Sequence, residues 1–317
     1  MYIQKRIIKS LLTVAGVQST LFVGYYIYDN NIKDSMKSFL NSQKVSKKSE
    51  IITPPISTEL DNPIKEVAKR VIKRETPEER LTKKIRRIAP NNTKDIIKIS
   101  SKRVEPILYT KSIPLSTLSI AQKKQKFIDM MIPSILVAKH QIRLDKERVA
   151  SLIIKHNISQ EDTKWLEEKR KEFHAADNYE LHDKMESHPT SIVIAQAIIE
   201  SGWGTSKFFQ KANNVFGVWS FCKDDKRMAA SKKRGKRTIY LKKYKSMEES
   251  IYDYFVTLAR KDDYKQFQKE RLITQDPYKL VKYLVKYSER GESYTKELKD
   301  MIKKNKLSAY DRCQLDL

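Results

Sequence analysis

Apolar and polar residues follow three different patterns along this chain. Leu11 to Tyr28 is an uncharged, largely apolar run, LLTVAGVQSTLFVGYYIY, preceded by Lys5, Arg6 and Lys9. Residues 31–117 mix lysines and arginines with Pro54, Pro55, Pro63, Pro77, Pro90, Pro106 and Pro114, and give no continuous apolar face. From Ser119 the spacing turns helical. Phe127, Met130, Met131 and Ile135 share one helix face, which Pro133 is expected to interrupt before a second helix from Leu144 to His156. Ser159 with Asp162 resembles a capping box for a helix over Trp165–Asp177. A short helix is predicted over Tyr179–Met185. Pro189 then opens an apolar helix running through Ile192-Val193-Ile194-Ala195-Gln196-Ala197-Ile198-Ile199. The rhythm breaks over Phe221–Tyr244, where Thr238-Ile239-Tyr240-Leu241 after Gly235 suits a small hairpin. Helices return over Met247–Lys261, Pro277–Tyr287 and Tyr294–Lys304. In the middle region short helices are predicted over Pro63–Arg74 and over Pro77–Ile88, with Thr76 as cap.

These patterns predict four segments. Residues 1–30 read as a cytoplasmic stub and membrane anchor. At 1.5 Å per residue the uncharged run just crosses a hydrocarbon core of about 30 Å. The basic flank stays inside, and Tyr25, Tyr26 and Tyr28 form an aromatic belt at the far interface. A cleaved signal peptide is the rival, disfavoured by tyrosines where small residues are needed. Residues 31–117 read as a basic, mostly flexible linker, residues 118–312 as a mainly helical folded domain with a small β-hairpin lobe, and 313–317 as a tail. The expected topology is single-pass, with the folded domain outside the cytoplasm.

The chemistry concentrates in Ala195–Trp219, AQAIIESGWGTSKFFQKANNVFGVW. Its one carboxylate is Glu200. A helix apolar around most of its circumference is expected to be buried, and Ser201-Gly202-Trp203-Gly204 ends it. Gln196 lies four residues back from Glu200, on the same face. Burial and the negative end of the helix dipole both disfavour the Glu200 anion, which makes it a candidate proton donor near neutral pH. A water-satisfied residue at a helix end is the alternative. Trp203, Phe208, Phe209, Phe216 and Trp219, interleaved with Ser206, Asn213, Asn214 and Ser220, offer the flat faces and amides that suit sugar rings; some of them are expected to be ordinary core.

The run ESGWGTS with ANNVFGVW resembles the glucosaminidase family of peptidoglycan hydrolases (glycoside hydrolase family 73), in particular its Bax-like branch. Tyr244-Lys245-Ser246-Met247-Glu248-Glu249-Ser250 with Asp253-Tyr254, the segment Tyr287-Ser288-Glu289-Arg290-Gly291-Glu292-Ser293-Tyr294, and Asn305-Lys306-Leu307 with Tyr310-Asp311 are similar to that branch too. The resemblance covers about 118–312. It implies a lysozyme-like fold with a cleft between a helical lobe and a small β-lobe, cleavage of β-1,4 bonds of the cell-wall glycan as an endo-β-N-acetylglucosaminidase, and Glu200 as general acid. Ser201, Trp203, Thr205, Asn213, Asn214, Phe216, Trp219 and Tyr244 become expected substrate-binding residues. Tyr287 and Tyr294 are expected close to the cleft, either assisting catalysis or packing the helix end.

Glycoside hydrolysis ordinarily takes two carboxylates, and the second is less legible. The β-lobe sequence is very basic, Ser231-Lys232-Lys233-Arg234-Gly235-Lys236-Arg237, and its only acids are Asp224 and Asp225. Glu248, Glu249, Glu289 and Glu292 sit in helical segments where solvation explains them. Either an aspartate positions the water or the substrate's own N-acetyl group assists. A lytic transglycosylase, which needs one acid/base group, and a non-catalytic wall-binding assembly factor are the alternatives.

Charge narrows the partners. With 64 Lys+Arg against 39 Asp+Glu the formal charge is +25, which favours polyanions. No nucleic-acid-binding signature accompanies it, so peptidoglycan strands and an anionic membrane surface are the expected partners. The histidines 140, 156, 174, 182 and 188 make no metal motif, so neither metal nor cofactor is expected. Cys222 and Cys313 fix no disulfide framework, although an oxidising compartment would permit them to pair.

Overall fold

The structure, a computed structural model, describes residues 77–230 and 238–317. The predicted anchor at Leu11–Tyr28, the Pro63–Arg74 helix, the Thr76 cap and the basic hairpin tip lie outside these residues. Among the described residues, no helix is long and apolar enough to cross a membrane.

The backbone of the fold is a single long helix. After α1 (Pro77–Lys84) and strands β1 (Arg86–Ile88), β2 (Arg103–Val104) and β3 (Ile107–Tyr109) comes α2, Ile120–Ile153, capped by Ser119 and Gln122. Pro133 does not interrupt it. An interior proline costs about 3 kcal/mol, but every residue from Phe127 to Ala138 is buried, so packing holds the helix through the lost hydrogen bond. Then follow α3 (Gln160–Phe173), α4 (Asn178–Lys184), α5 (Thr190–Ser201) and α6 (Lys207–Ala212). Helix α3 starts at the predicted Ser159 cap and stops after Phe173, four residues before the expected end, where His174 takes a left-handed conformation.

A hairpin of β4 (Arg227–Ala229) and β5 (Tyr240–Lys242) interrupts the helices, with Met228 opposite Leu241. Three helices, α7 (Met247–Arg260), α8 (Lys265–Arg271) and α9 (Pro277–Leu280), lead into a 3-10 turn over Val281–Tyr287. Helix α10 (Glu292–Lys304), a second 3-10 turn over Leu307–Arg312 and β6 (Gln314–Leu315) complete the chain. Among the described residues the fold is therefore mainly helical, with three two-stranded sheets.

Residues 77–117 differ from the flexible linker expected of them. The Pro77–Ile88 helix ends at Lys84, and β1 pairs in parallel with β3, Arg86 opposite Ile107 and Ile88 opposite Tyr109. Ile96, Val104, Ile107, Leu108, Tyr109, Ile113 and Leu115 join the core. Polar pins fix the segment to α2: Asp129 Oδ1 accepts from the Ile99 amide at 3.1 Å, and Lys126 Nζ donates to the Ile96 carbonyl at 2.8 Å. Single apolar residues spaced among prolines and lysines carry no period, yet each fills a hole left by another element. The 313–317 tail is likewise integrated, since β6 pairs in parallel with β2 and Cys313 is buried. Cys222 is exposed and both cysteines are free thiols, so the pairing entertained above is not formed.

Candidate active site

Helix α5 is buried from Thr190 to Ile198, as its composition demands. Pro189 supplies no side-chain cap. The cap comes from far along the chain: Asp311 Oδ1 accepts from the Ser191 amide at 2.7 Å, and its Oδ2 accepts from Ser191 Oγ at 2.8 Å. A carboxylate there satisfies orphan donors and meets the positive end of the helix. Lys139 Nζ, pulled down to about 8 by burial, donates to the His188 carbonyl at 2.9 Å.

At its other end α5 delivers Glu200 and then turns sharply. Gly202, Trp203 and Gly204 all have positive φ, at 59°, 61° and 78°. Trp203 is the strained member, because a bulky side chain disfavours that region. Gly204 is needed for space as well: a Cβ there would lie 3.1 Å from Phe127 and from Phe209. Ser201 is buried, with its hydroxyl donating to the Ala197 carbonyl at 2.6 Å and accepting from the Gly204 amide at 3.0 Å. Thr205 is exposed and its hydroxyl donates to the Gly202 carbonyl at 2.9 Å.

Glu200 is half-buried, and Tyr294, fully buried on the first turns of α10, donates its hydroxyl to Glu200 Oε1 at 3.1 Å. Burial is the largest influence on the carboxyl and raises its pKa. The Tyr294 hydrogen bond and the Arg290 charge oppose that, while Glu297 adds to it. Net, the carboxyl lies above the ordinary glutamate value. Tyr287 stacks on Tyr294 with ring centroids 5.5 Å apart. Both phenols are pushed up by burial and by the nearby carboxylate, and Tyr294 acts as a neutral donor.

Several expected glycan contacts have other tasks. Asn213 Nδ2 donates to the carbonyls of Thr110 and Tyr244, and Asn214 bridges Val218 and Lys242. Both amides are engaged in tying the hairpin base to the helices. Phe216 is buried, stacked 4.2 Å from Tyr254. Tyr244 donates to Asp253 Oδ2 at 2.6 Å, pointing its hydroxyl into the protein. Trp203 stays half exposed, edge-on to Phe127 with Lys124 Nζ 5.0 Å over its ring. Beside it opens a cavity of about 510 Å³, walled also by Glu297, Asp300, Lys304 and Asn305.

The hairpin lobe keeps its aromatics outward. Trp219 is 42% exposed and Phe221 85%, with centroids 6.1 Å apart. Asp224 is exposed, and Asp225 accepts from Ser220 Oγ at 2.9 Å. Neither is among the groups that shift Glu200. Among the described residues, no group of three or more His, Cys, Asp or Glu is placed to hold a metal ion.

Sequence reasoning missed Tyr254, His188, Arg290, Glu297 and Phe221. Tyr254 Oη donates to Gln196 Oε1 at 2.5 Å, and Gln196 Nε2 donates to Tyr294 Oη at 3.1 Å. The one polar residue inside an apolar helix, a turn before Glu200, was the available signal. Tyr254 stood in a segment similar to the family but with no role assigned, and nothing local marks His188; both reach the site through the tertiary fold.

Comparison with known proteins supplies independent evidence. The glucosaminidase family model, described as mannosyl-glycoprotein endo-beta-N-acetylglucosaminidase, matches residues 176–307. Protein bax of Escherichia coli is 30% identical over 131 residues, covering 39% of this chain and 46% of that protein. Exo-glucosaminidase LytG of Bacillus subtilis is 31% identical over 138 residues, covering 41% and 49%. The chain thus spans about half the length of these curated relatives. Among solved structures, the catalytic domain of the autolysin Auto from Listeria monocytogenes is 20% identical, covering 53% of this chain and 97% of its own, at a TM-score of 0.34. A peptidoglycan hydrolase from Sphingomonas sp. A1 is 22% identical, covering 39% and 81%, at 0.33.

Proposed function

We propose that this chain, whose residues 176–307 match the glucosaminidase family model, cleaves β-1,4 bonds of peptidoglycan strands as an endo-β-N-acetylglucosaminidase, with Glu200 as general acid. The observation that carries the reading is the setting of Glu200. A carboxyl at the negative end of a buried helix, raised by burial and held by a phenol donor, sits inside the segment the family model matches.

In this reading protonated Glu200 donates to the glycosidic oxygen as the C–O bond breaks. The Tyr294 hydroxyl stays on Oε1 and steadies the anion that results, with the Arg290 charge nearby. Trp203 and the cavity beside it offer one sugar platform. Trp219 and Phe221 on the hairpin lobe offer another, so that the strand lies between a helical wall and a β wall in a lysozyme-like arrangement.

The anchor at Leu11–Tyr28 belongs to this reading. It would tether the enzyme to the inner membrane with the catalytic domain in the periplasm, where its substrate is. Mass spectrometry of wall digests made with the purified full chain tests the activity. New reducing-end N-acetylglucosamine supports it. Anhydro-sugar ends would identify a lytic transglycosylase instead, and an undigested wall would remove the enzymatic reading. A mature N-terminus within residues 18–35 would remove the anchor.

A further inference from the structure

Tyr294 reaches Glu200 at the end of a longer chain of buried groups. His188 Nε2 lies 2.9 Å from Tyr254 Oη, Tyr254 Oη donates to Gln196 Oε1 at 2.5 Å, Gln196 Nε2 donates to Tyr294 Oη at 3.1 Å, and Tyr294 Oη donates to Glu200 Oε1 at 3.1 Å. His188, Tyr254, Gln196 and Tyr294 are each at most 2% exposed, so water cannot substitute for a missing partner.

Counting protons fixes the direction of every link. A phenol has one proton. Tyr294 gives its proton to Glu200, so from Gln196 it must accept, and the NH₂ side of that amide faces it. The Gln196 oxygen then faces Tyr254, which must donate to it. Tyr254 has no second proton, so His188 must donate through Nε2–H. The Nδ1 atom is left bare, in keeping with its having no hydrogen-bond partner. His188 is neutral, because burial and then the charges of Arg271 and Lys139 hold its pKa well below the usual imidazole range. The rings of Tyr254, Phe255 and Phe267 enclose it.

We propose that His188, Tyr254 and Gln196 are positioning residues that lock Tyr294 as a permanent hydrogen-bond donor to Glu200 Oε1, so that the transferable proton of the acid resides on Oε2. The alternative they suppress is a turned amide. With its oxygen facing Tyr294, Gln196 would compete for the phenol proton and leave Glu200 without its donor. The proposal rests on Glu200 being the acid, but its network is measurable without activity. The groups facing Glu200 are Tyr294 and Glu297 of α10, Arg290 before it, Tyr254 of α7 and Tyr287 of the 3-10 turn.

Tyr254→Phe keeps the ring stacked on Phe216 and removes the proton that holds the Gln196 oxygen. The amide is then free to turn, Tyr294 withdraws from the carboxylate, and the Glu200 pKa rises. A hydrogen bond to a charged group is worth enough to move it by about one pH unit. Gln196→Met is the contrasting change: Tyr294 then has no other acceptor, keeps its bond to Glu200, and the titration stays close to wild type. The test is a carbon-13 NMR titration of glutamate carboxyls in the full chain, with Glu200 identified by the signal lost in Glu200→Gln and folding checked by thermal melting. The expected result is an upward shift in Tyr254→Phe and none of comparable size in Gln196→Met. In active protein the upper limb of the pH–rate profile moves with it. Equal titrations in Tyr254→Phe and wild type, or equal shifts in both variants, overturn the proposal. A second readout needs no variant: the nitrogen-15 shifts of His188 in the wild-type chain should report a neutral Nε2–H imidazole from about pH 5 to 8, the range in which an ordinary histidine changes charge. An Nδ1–H form, or titration within that range, overturns the lock even if Tyr254→Phe does not fold. A folded wild type with the predicted titration but no wall cleavage would sink the activity and leave the network standing.

Discussion

The end of α5 and the β4–β5 hairpin present two opposite ways of placing polar and aromatic groups. Around Glu200 nearly every polar atom is enclosed and partnered. Gln196, Tyr254 and Tyr294 are buried, and Phe216 and Tyr287 are stacked against their rings. In the hairpin only Leu241 among the strand residues is buried, and Trp219 and Phe221 turn outward. The difference teaches where precision is required. A proton donor must keep one orientation and one protonation state, which a low-dielectric, fully bonded setting enforces. A sugar platform has only to offer a flat face.

The comparison breaks first at Glu200. Glu200→Gln in the full chain is expected to fold and to lose about 10²–10⁴-fold in wall-glycan cleavage, the scale of general acid catalysis. Native-rate digestion would remove the acid assignment. Tyr294→Phe is next, with a loss of about 10–100-fold in kcat, because a hydrogen bond to a charged group is removed while the ring still stacks on Tyr287. Alanine at both Trp219 and Phe221 should act on the other side of the comparison, raising KM about tenfold with kcat held; a fall in kcat alone would show the hairpin shaping the chemistry rather than the grip. The double change Asp224→Asn with Asp225→Asn is expected to cost less than about tenfold, well short of a lost general base. Asp224 is open to water and Asp225 is already bonded by Ser220. A loss of a hundredfold or more would instead place a water-activating carboxylate on the hairpin, and a small one leaves assistance by the substrate's own N-acetyl group or transglycosylation.

The smallest effect concerns stability. Burial raises the folded-state pKa of Glu200 above its usual value. A group shifted in that direction favours folding in its protonated form. Its contribution is whole below the unfolded pKa and is lost as pH rises through the folded one. Glu200→Gln should therefore melt slightly higher than wild type at pH 8, with the gap closing toward pH 4. A wild type that melts higher than the variant at pH 8 would show that the anion, not the acid, is the better-accommodated form.

Local pattern sufficed where a residue and its partner lie within one element or one turn. The apolar run of α5, its glycine stop, the Ser159 cap and the hairpin around Tyr240 were all readable for that reason, and so was the setting of Glu200. The amides of Asn213 and Asn214, expected to face glycan, donate instead to backbone carbonyls, because composition gives the chemistry of a group but not its direction. The folded segment 77–117 was missed for a related reason: Ile96, Val104 and Ile113 follow no period, and only the shape of the neighbouring core gives each a place.

The amino-acid sequence by itself determined that an apolar helix would end in a carboxylate beside aromatics, because helix periodicity and glycine termination act over a few residues. Only the tertiary structure decided which groups hold that carboxylate. Asp311 caps a helix that begins at Thr190, and His188, Tyr254 and Tyr294 line up through Gln196. Such partners are far apart along the chain, and a buried polar group takes whichever partner packing brings within hydrogen-bond reach.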